Sequence, residues 1–235
     1  LMCFFVQMLS WGVMNLNREP VVESAPVVQT GRDYWRRLPR LLREDRNFSR
    51  FLIARTISVL GGMGMAFYVV YAREAFGISD TFAAQLTMAA LAAQTVSTPL
   101  LGQIGDRAGH KLLMELSGLF LVGALLSAVL ATSVQWLYVV FALANISMAC
   151  GMIAGMAISM EFGPPEEMPT YSALASTAQA LPVLLAPLLG GWLVDIAGYR
   201  SMFIVAIALS LAGVCYMHLA VRDPRHYSDG AGAMI

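Results

Sequence analysis

The sequence predicts an all-α, polytopic membrane protein, and two observations support that prediction. Of the 235 residues, 58% are hydrophobic and only 13% are charged, with a mean hydropathy of +0.66. Six apolar runs of about 20 to 25 residues follow one another with short connectors, and a helix of that length crosses a bilayer core. This composition is more apolar and less charged than that of soluble globular domains.

The six predicted spans lie in a bundle over residues 51–221, with distinct segments on either side. Residues 1–16 are apolar but too short to cross a membrane, so we interpret them as the end of a further helix that begins upstream. Residues 17–50 form an arginine-rich loop, and residues 222–235 form a tail. The chain is thus expected to be a piece of a longer protein. The predicted spans are Phe51–Ala72, Thr81–Gln103, Leu112–Ala131, Trp136–Met160, Thr170–Val194 and Ser201–Val221.

The distribution of basic residues predicts the orientation of these spans. Twelve of the fifteen Lys and Arg residues fall on the side of the 17–50 loop, and only Arg73 and Arg200 fall on the other. The positive-inside rule therefore places the loop and the tail in the cytoplasm. Because the cations are segregated by loop and form no continuous basic face, no nucleic-acid partner is predicted. The loop is either a basic amphipathic segment lying on anionic headgroups or a solvated connector.

Two short segments repeat one pattern. Residues 102–111 read GQIGDRAGHK and residues 191–200 read GWLVDIAGYR, an offset of 89 positions. The matched pairs are Gly102 with Gly191, Asp106 with Asp195, Gly109 with Gly198, and Lys111 with Arg200. Each copy is interpreted as a turn between the second and third helix of a triplet. Since three is odd, the second triplet must be inverted in the membrane relative to the first.

The first copy resembles the signature loop of the major facilitator superfamily (MFS), G-x-x-x-D-R-x-G-x-[RK]. GGWLVDIAGYR and the PPEEMPTY segment before the fifth span also resemble that family's C-terminal half. The resemblance implies a six-helix half-bundle of two inverted three-helix repeats, comprising helices 7–12 of a twelve-helix transporter. Residues 1–16 would then end helix 6, and residues 17–50 would be the central cytoplasmic loop. His110 departs from the two firmly basic residues often found there.

The same resemblance implies a function and a set of partners. It implies secondary active transport of a small solute by alternating access, by an efflux pump or another permease, in the plasma (inner) membrane. The expected partners are the lipid bilayer, a small-molecule substrate and the missing N-terminal six-helix half of the same chain. A coupling proton is left open, because no acidic residue lies in the middle of a span. The alternative is a non-transporting six-helix membrane scaffold or assembly subunit.

The first motif is a candidate gating latch. Asp106, Arg107 and Lys111 would make charge-assisted contacts in one transporter state and release them in the other, while Gly102 and Gly109 permit close approach and a sharp turn. The alternative is a turn that only sets topology. Glu115 and Glu161 lie near cytoplasmic helix ends and could pair with the basic residues of the motif.

Four helices are expected to line a substrate cavity, since the resemblance implies that helices 7, 8, 10 and 11 do so. Polar, phenolic and thioether side chains on these helices suit an apolar or amphipathic solute. The candidate cavity residues are Tyr68, Tyr71, Gln94, Asn145, Met148, Met152 and Gln179. The alternative is that the three amides join helices by hydrogen bonds and that the methionines are ordinary packing.

No enzymatic site is predicted. An intramembrane protease of the GxGD type would need Gly where residue 103 is Gln, and a second aspartate in mid-membrane. No metalloprotease, serine hydrolase or P-loop spacing is present, and the three cysteines lie singly in apolar runs. We therefore predict no catalytic residue, no metal site and no cofactor. Arg55, one turn inside the first span, is expected to extend towards the cytoplasmic surface, and the alternative is a role in substrate or ion binding.

Overall fold

The computed structural model describes residues 2–14, 42–43, 45–163 and 167–224, and within these residues it is all-α. A 3-10 segment, Gly62–Phe67, joins the second and third helices. The first helix of the chain, Met2–Met14, belongs to one compact unit, and the remaining helices form a second. Most of the predicted 17–50 loop and the tail from residue 225 lie outside the described residues. The helices are α1 (Met2–Met14), α2 (Arg46–Gly61), α3 (Tyr68–Phe76), α4 (Asp80–Ala108), α5 (His110–Leu130), α6 (Trp136–Glu161) and α7 (Met168–Ala220).

Four helical stretches in the described residues are long and apolar enough to cross a membrane: Arg46–Phe76, α5, α6 and α7. Helix α7 has 53 residues and is broken at Gly198, where φ is 77° and ψ is 168°. Its first limb, residues 168–197, corresponds to the fifth predicted span, and its second limb, residues 199–220, corresponds to the sixth. A polytopic all-α membrane fold is thereby confirmed.

The two limbs of α7 run in opposite directions along α2 and α3. Near the start of α2, the ring of Phe48 lies 4.7 Å from that of Tyr171 in the first limb. The backbone N–H of Arg222, just after the second limb, also reaches this end and donates to the Asn47 side chain at 2.8 Å. At the other end, the hydroxyl of Tyr199 donates to Glu74 at 3.0 Å. Gly198 therefore makes a helical hairpin that crosses the membrane twice.

Helix α4 is the exception to the predicted set of apolar runs. Its 29 residues are enough to span a bilayer, but it is not among the helices that qualify by hydropathy. Gln85, Gln94 and Gln103 interrupt its apolar residues, together with several threonines. A helix with this many polar side chains is tolerated in a membrane when they face protein or a water-filled cavity.

The first predicted span begins earlier than expected and is not a continuous α-helix. It starts at Arg46 and not at Phe51, because the side chain of Asp45 accepts a hydrogen bond from the Phe48 N–H at 2.8 Å and caps the helix. The α-helical hydrogen-bond pattern gives way to the 3-10 segment beside a cluster of glycines, which are poor α-helix formers.

The two predicted triplets interlock in the structure. Helix α2, from the first triplet, packs against α7, which supplies the second and third helices of the other triplet. Helix α6, the first helix of the second triplet, packs in the same way against α4 and α5. Exchanging the triplets therefore maps one set of contacts onto the other, as expected for an inverted repeat.

Serine hydroxyls join α5 to α6 across their shared interface. Ser117 Oγ donates to the Ser147 carbonyl at 2.8 Å, and Ser147 Oγ donates to the Ser117 carbonyl at 2.7 Å. Gly151 lies one turn further along, and a Cβ at this position would be 3.2 Å from Ser117 Oγ. Small residues thus bring these helices together closely enough for direct bonding between their backbones and side chains.

Candidate functional site

The two copies of the repeated pattern turn the chain through the same backbone conformation. Gly109 has φ 97° and ψ 148°, and Gly198 has φ 77° and ψ 168°. This region of φ/ψ space is accessible essentially to glycine alone. The predicted longer turns are therefore wrong in extent: α4 continues to Ala108 and α5 begins at His110, so a single glycine makes each reversal.

Only part of the glycine pattern in the first copy serves close packing. A Cβ at Gly105 would lie 3.2 Å from both His110 and Leu113, so this glycine lets α4 approach the start of α5. A Cβ at Gly109 would lie 3.0 Å from a carboxylate oxygen of Asp223. Gly102, in contrast, has no heavy atom of the described residues within 4 Å of its Cβ position. The close-approach role predicted for Gly102 is therefore not used among the described residues.

The first motif is tied to helix ends on both sides by charged contacts. His110 Nδ1 lies 2.7 Å from Glu161 Oε1, which joins the start of α5 to the end of α6. Lys111 Nζ lies 3.6 Å from Glu115 Oε1 and donates to the His218 carbonyl at 3.3 Å, near the end of α7. Pairing of Lys111 with a nearby glutamate was an expected option, whereas the contact between His110 and Glu161 was not predicted.

Asp106 and Arg107 lie on the exposed surface of the motif. Lys111 is partly buried and turned towards α7, so the three residues proposed for the latch do not share one environment. In the second copy, Asp195 and Arg200 are likewise exposed, and Gly191 is partly buried. The positions of both motifs on the surface are compatible with contacts to a further protein segment.

The candidate cavity residues fall into three groups by exposure. Met148 and Met152 are 51% and 63% exposed on one face of α6, and Met156 continues the same stripe at 67%. Tyr71, Gln94 and Asn145 are partly buried. Tyr68 and Gln179 are buried, at 4% and 6% exposure. Their assignment to a substrate cavity remains a prediction.

Within the described residues, neither Asn145 nor Gln179 makes a side-chain hydrogen bond to another helix. Asn145 Nδ2 donates to the Phe141 carbonyl of its own helix at 3.0 Å. Neither side-chain polar atom of Gln179 has a hydrogen-bond partner among the described residues. Among the cavity candidates, Tyr71 makes a bond between helices, donating to the Ala128 carbonyl of α5 at 3.1 Å.

Arg55 is held against α6 and does not extend freely from the bundle. Its Nη1 donates to the Gly155 carbonyl at 3.1 Å and lies 3.4 Å from Ser159 Oγ. A cation in a membrane-spanning helix costs up to about 3 kcal/mol on insertion scales, and these two acceptors offset part of that cost. The contacts join residues about 100 positions apart, so sequence periodicity could not indicate them.

Comparison with known proteins matches the chain to one family over most of its length. The family model "Major Facilitator Superfamily" matches residues 51–233. An uncharacterised MFS-type transporter of Mycobacterium tuberculosis is 25% identical over 146 residues, which cover 60% of this chain and 21% of that protein. The class H tetracycline resistance protein of Pasteurella multocida is 28% identical over 121 residues, covering 50% of this chain and 29% of that protein.

The matched stretches thus span well under two thirds of the length of these relatives. The family match includes every helix from α4 to α7 and both copies of the glycine turn. Together with the interlocked triplets and the apolar helices, it shows that this chain is an integral membrane protein that belongs to the major facilitator superfamily.

Proposed function

We propose that the chain is the C-terminal six-helix half of a secondary transporter that moves a small apolar or amphipathic solute by alternating access. The observation that carries this proposal is the exposed stripe of Met148, Met152 and Met156 on α6. Helix α6 packs against α4, α5 and α7, and the three methionines stay exposed among the described residues. Flexible thioethers suit a surface that accommodates solutes of different shapes.

The remaining partners follow from this arrangement. A second six-helix half would cover the open face and complete the cavity, as the family architecture implies. The excess of Lys and Arg on one side supports a cytoplasmic location of the central loop and the tail, with the plasma (inner) membrane as the site of action. The Pasteurella relative is named a tetracycline resistance protein, and because export of a drug is one way in which a membrane transporter can confer resistance, we propose an efflux direction for this chain.

Substitution of the methionine stripe tests the transport proposal. The protein would be expressed from its complete gene in cells that lack their main efflux pumps, and the accumulation of ethidium and of tetracycline would be measured. We expect Met152→Ala to change the ratio of the two transport rates by about three- to tenfold, because side chains lining a pocket discriminate between solutes.

The matched control is Leu119→Ala on α5, since Leu119 is 49% exposed on a helix that is not among those expected to line the cavity. It should leave both rates unchanged at equal amounts of folded protein. If the wild-type protein transports neither ethidium nor tetracycline, the transport proposal is contradicted. If Met152→Ala and Leu119→Ala behave alike, the position of the cavity is contradicted. Absence of any transport would favour the membrane scaffold alternative.

We also propose that the first glycine motif acts as the gate latch, in a form refined by its contacts. Lys111 anchors the turn to the end of α7 through the His218 carbonyl, and exposed Asp106 and Arg107 provide the charges that reach a facing segment. The second copy is the natural control, because Asp195 is equally exposed on the opposite side of the membrane.

Neutralising each aspartate separates a latch from a turn that only sets topology. We expect Asp106→Asn to slow transport by about tenfold or more, since a charge-assisted contact contributes about 1.5–3 kcal/mol. Asp195→Asn should change the rate by less than about twofold. Equal effects of the two variants would overturn the latch, as would full additivity of Asp106→Asn with Arg107→Gln in a double-mutant cycle of transport rates.

A further inference from the structure

Arg55 carries a charge that no acidic side chain compensates within the part of the chain that the structure describes. Both of its hydrogen bonds use Nη1, one to the Gly155 carbonyl and one to Ser159 Oγ. Its Nε and Nη2 donate to no atom of the described residues, and none of the ion pairs formed there includes Arg55. The side chain is partly buried, and these donors remain available for a partner outside the described residues.

The guanidinium occupies a defined position on α6, formed by Gly155 and Ser159 and called the seat below. A Cβ at Gly155 would lie 2.8 Å from Nη2 and 3.2 Å from Cζ, so a side chain there would displace the guanidinium from this position. Ser159 is 1% exposed, and its hydroxyl donates to the Gly155 carbonyl at 2.7 Å, which leaves its lone pairs to accept from Arg55. On another side, Cζ lies 5.9 Å from the centre of the Phe51 ring, within range of a cation–π contact.

An open apolar surface begins beside this seat. Met156 directly follows Gly155 in α6, and Met152 lies one turn further along on the exposed face. Helical spacing of four residues places the two thioethers above one another. The Arg55 guanidinium of α2 therefore lies on α6 within about one turn of the adaptable apolar stripe of that helix.

We propose that Arg55 binds the anionic head of a small amphipathic solute whose apolar part lies on Met152 and Met156. The open Nε–H and Nη2–H groups form the planar fork that a carboxylate or sulfonate accepts in bidentate fashion. The proposal rests on the transport function proposed above and names its substrate class. A carboxylate side chain from a facing protein half is the competing occupant, and the experiment separates the two.

Binding of a matched pair of fluorescent probes tests the seat without requiring transport. The protein, expressed from its complete gene, is placed in phosphatidylcholine nanodiscs and titrated with dansylglycine and with its neutral primary amide, after subtraction of the signal from empty nanodiscs. We expect the wild-type protein to bind the carboxylate about tenfold more tightly than the amide, as a charge-assisted pair should allow.

In Arg55→Gln this preference should fall to about onefold, while affinity for the amide stays within about twofold and reports intact folding. Arg55→Lys keeps the positive charge but loses the planar fork of donors, so we expect it to retain about a threefold preference for the carboxylate. This variant tests the proposal if Arg55→Gln does not fold. The matched control is Arg50→Gln on the same helix, whose Nη1 donates to the Ala220 carbonyl at 3.3 Å. It should keep the full preference.

Several outcomes would overturn the proposal. The first is a wild-type protein that binds the carboxylate no more tightly than the amide. The second is a carboxylate preference that survives in Arg55→Gln. The third is a preference that is lost when phosphatidylglycerol replaces phosphatidylcholine, which would assign the seat to a lipid headgroup. If the wild-type protein shows no carboxylate preference and Arg55→Gln loses transport, Arg55 would be assigned to a contact between the two halves of the transporter. A carboxylate preference in a protein that transports no dye would support the site while contradicting the transport function.

Discussion

Gly61→Ala should destabilise the bundle, while Gly62→Ala, one residue later, should not. A Cβ at Gly61 would lie 2.3 Å from Ser210 Oγ and 2.8 Å from the Ser210 backbone nitrogen. The backbone atom cannot rotate away, so α2 and the second limb of α7 would have to separate. We expect a loss of about 1–3 kcal/mol, the usual range for overpacking a close interface.

The neighbouring glycine provides the control because a Cβ at Gly62 would meet no heavy atom within 4 Å. Its φ is −70°, so alanine can adopt the same conformation, and Gly62→Ala should be neutral or stabilise by up to about 1 kcal/mol. The measurement is thermal unfolding of both purified variants in one detergent, followed by the loss of the monomeric peak in size-exclusion chromatography. Equal unfolding temperatures would contradict the close contact.

The same interface offers a reciprocal position. A Cβ at Gly213 in α7 would lie 2.4 Å from Ser58 Oγ and 3.0 Å from the Ser58 backbone nitrogen of α2. Each helix thus places a glycine against a serine of the other helix. Within each helix, the serine and the glycine are three residues apart. Gly213→Ala is expected to destabilise as strongly as Gly61→Ala, and the two effects should not add, because either one alone separates the helices.

Gly198→Asn should cost more stability than Gly77→Asn, although both glycines have positive φ. Gly77 lies in the left-handed helical region, with φ 62° and ψ 33°, where asparagine is tolerated. Gly198, with ψ 168°, lies where side chains other than hydrogen are strained by about 1–3 kcal/mol. No heavy atom lies within 4 Å of a Cβ at either position, so the comparison isolates the backbone conformation.

Gly109 extends this test to the first copy of the repeat. Gly109→Asn should be at least as damaging as Gly198→Asn, because a Cβ would also lie 3.0 Å from the Asp223 carboxylate. Chemical denaturation in SDS, with helicity measured by circular dichroism, would rank the three variants. Equal midpoints for Gly77→Asn and Gly198→Asn would show that the helical hairpin tolerates another conformation at residue 198.

Much of the fold follows from local properties of the chain. Apolar runs of bilayer length require helices, since backbone groups in lipid must be bonded within the segment. The offset of 89 residues between the glycine patterns predicted the inverted triplets, and the matching backbone conformations of Gly109 and Gly198 agree with it. Helix ends were predicted less well, as at Asp45, because a capping side chain and a one-residue turn are small signals beside strong periodicity.

The candidate site depended on information that the sequence does not carry locally. Met148 and Met152 were assigned to the cavity from spacing and a family resemblance, and so were Tyr68 and Gln179, which the fold buries. Helical spacing shows which residues share a face, but it does not show whether that face meets another helix, lipid or open space. The same reason explains why the seat of Arg55 on α6 and the contact of His110 with Glu161 were missed.

The sequence by itself determined the membrane class of this protein and its family, and it predicted six spans in two inverted triplets, because hydropathy, charge bias and glycine spacing act within one segment or recur at a regular interval. Tertiary structure decided which glycines are crowded, which methionines stay open and which group receives Arg55. These properties depend on helices separated by up to about 150 residues, as Gly61 and Ser210 are, and their packing arises only when the triplets interlock.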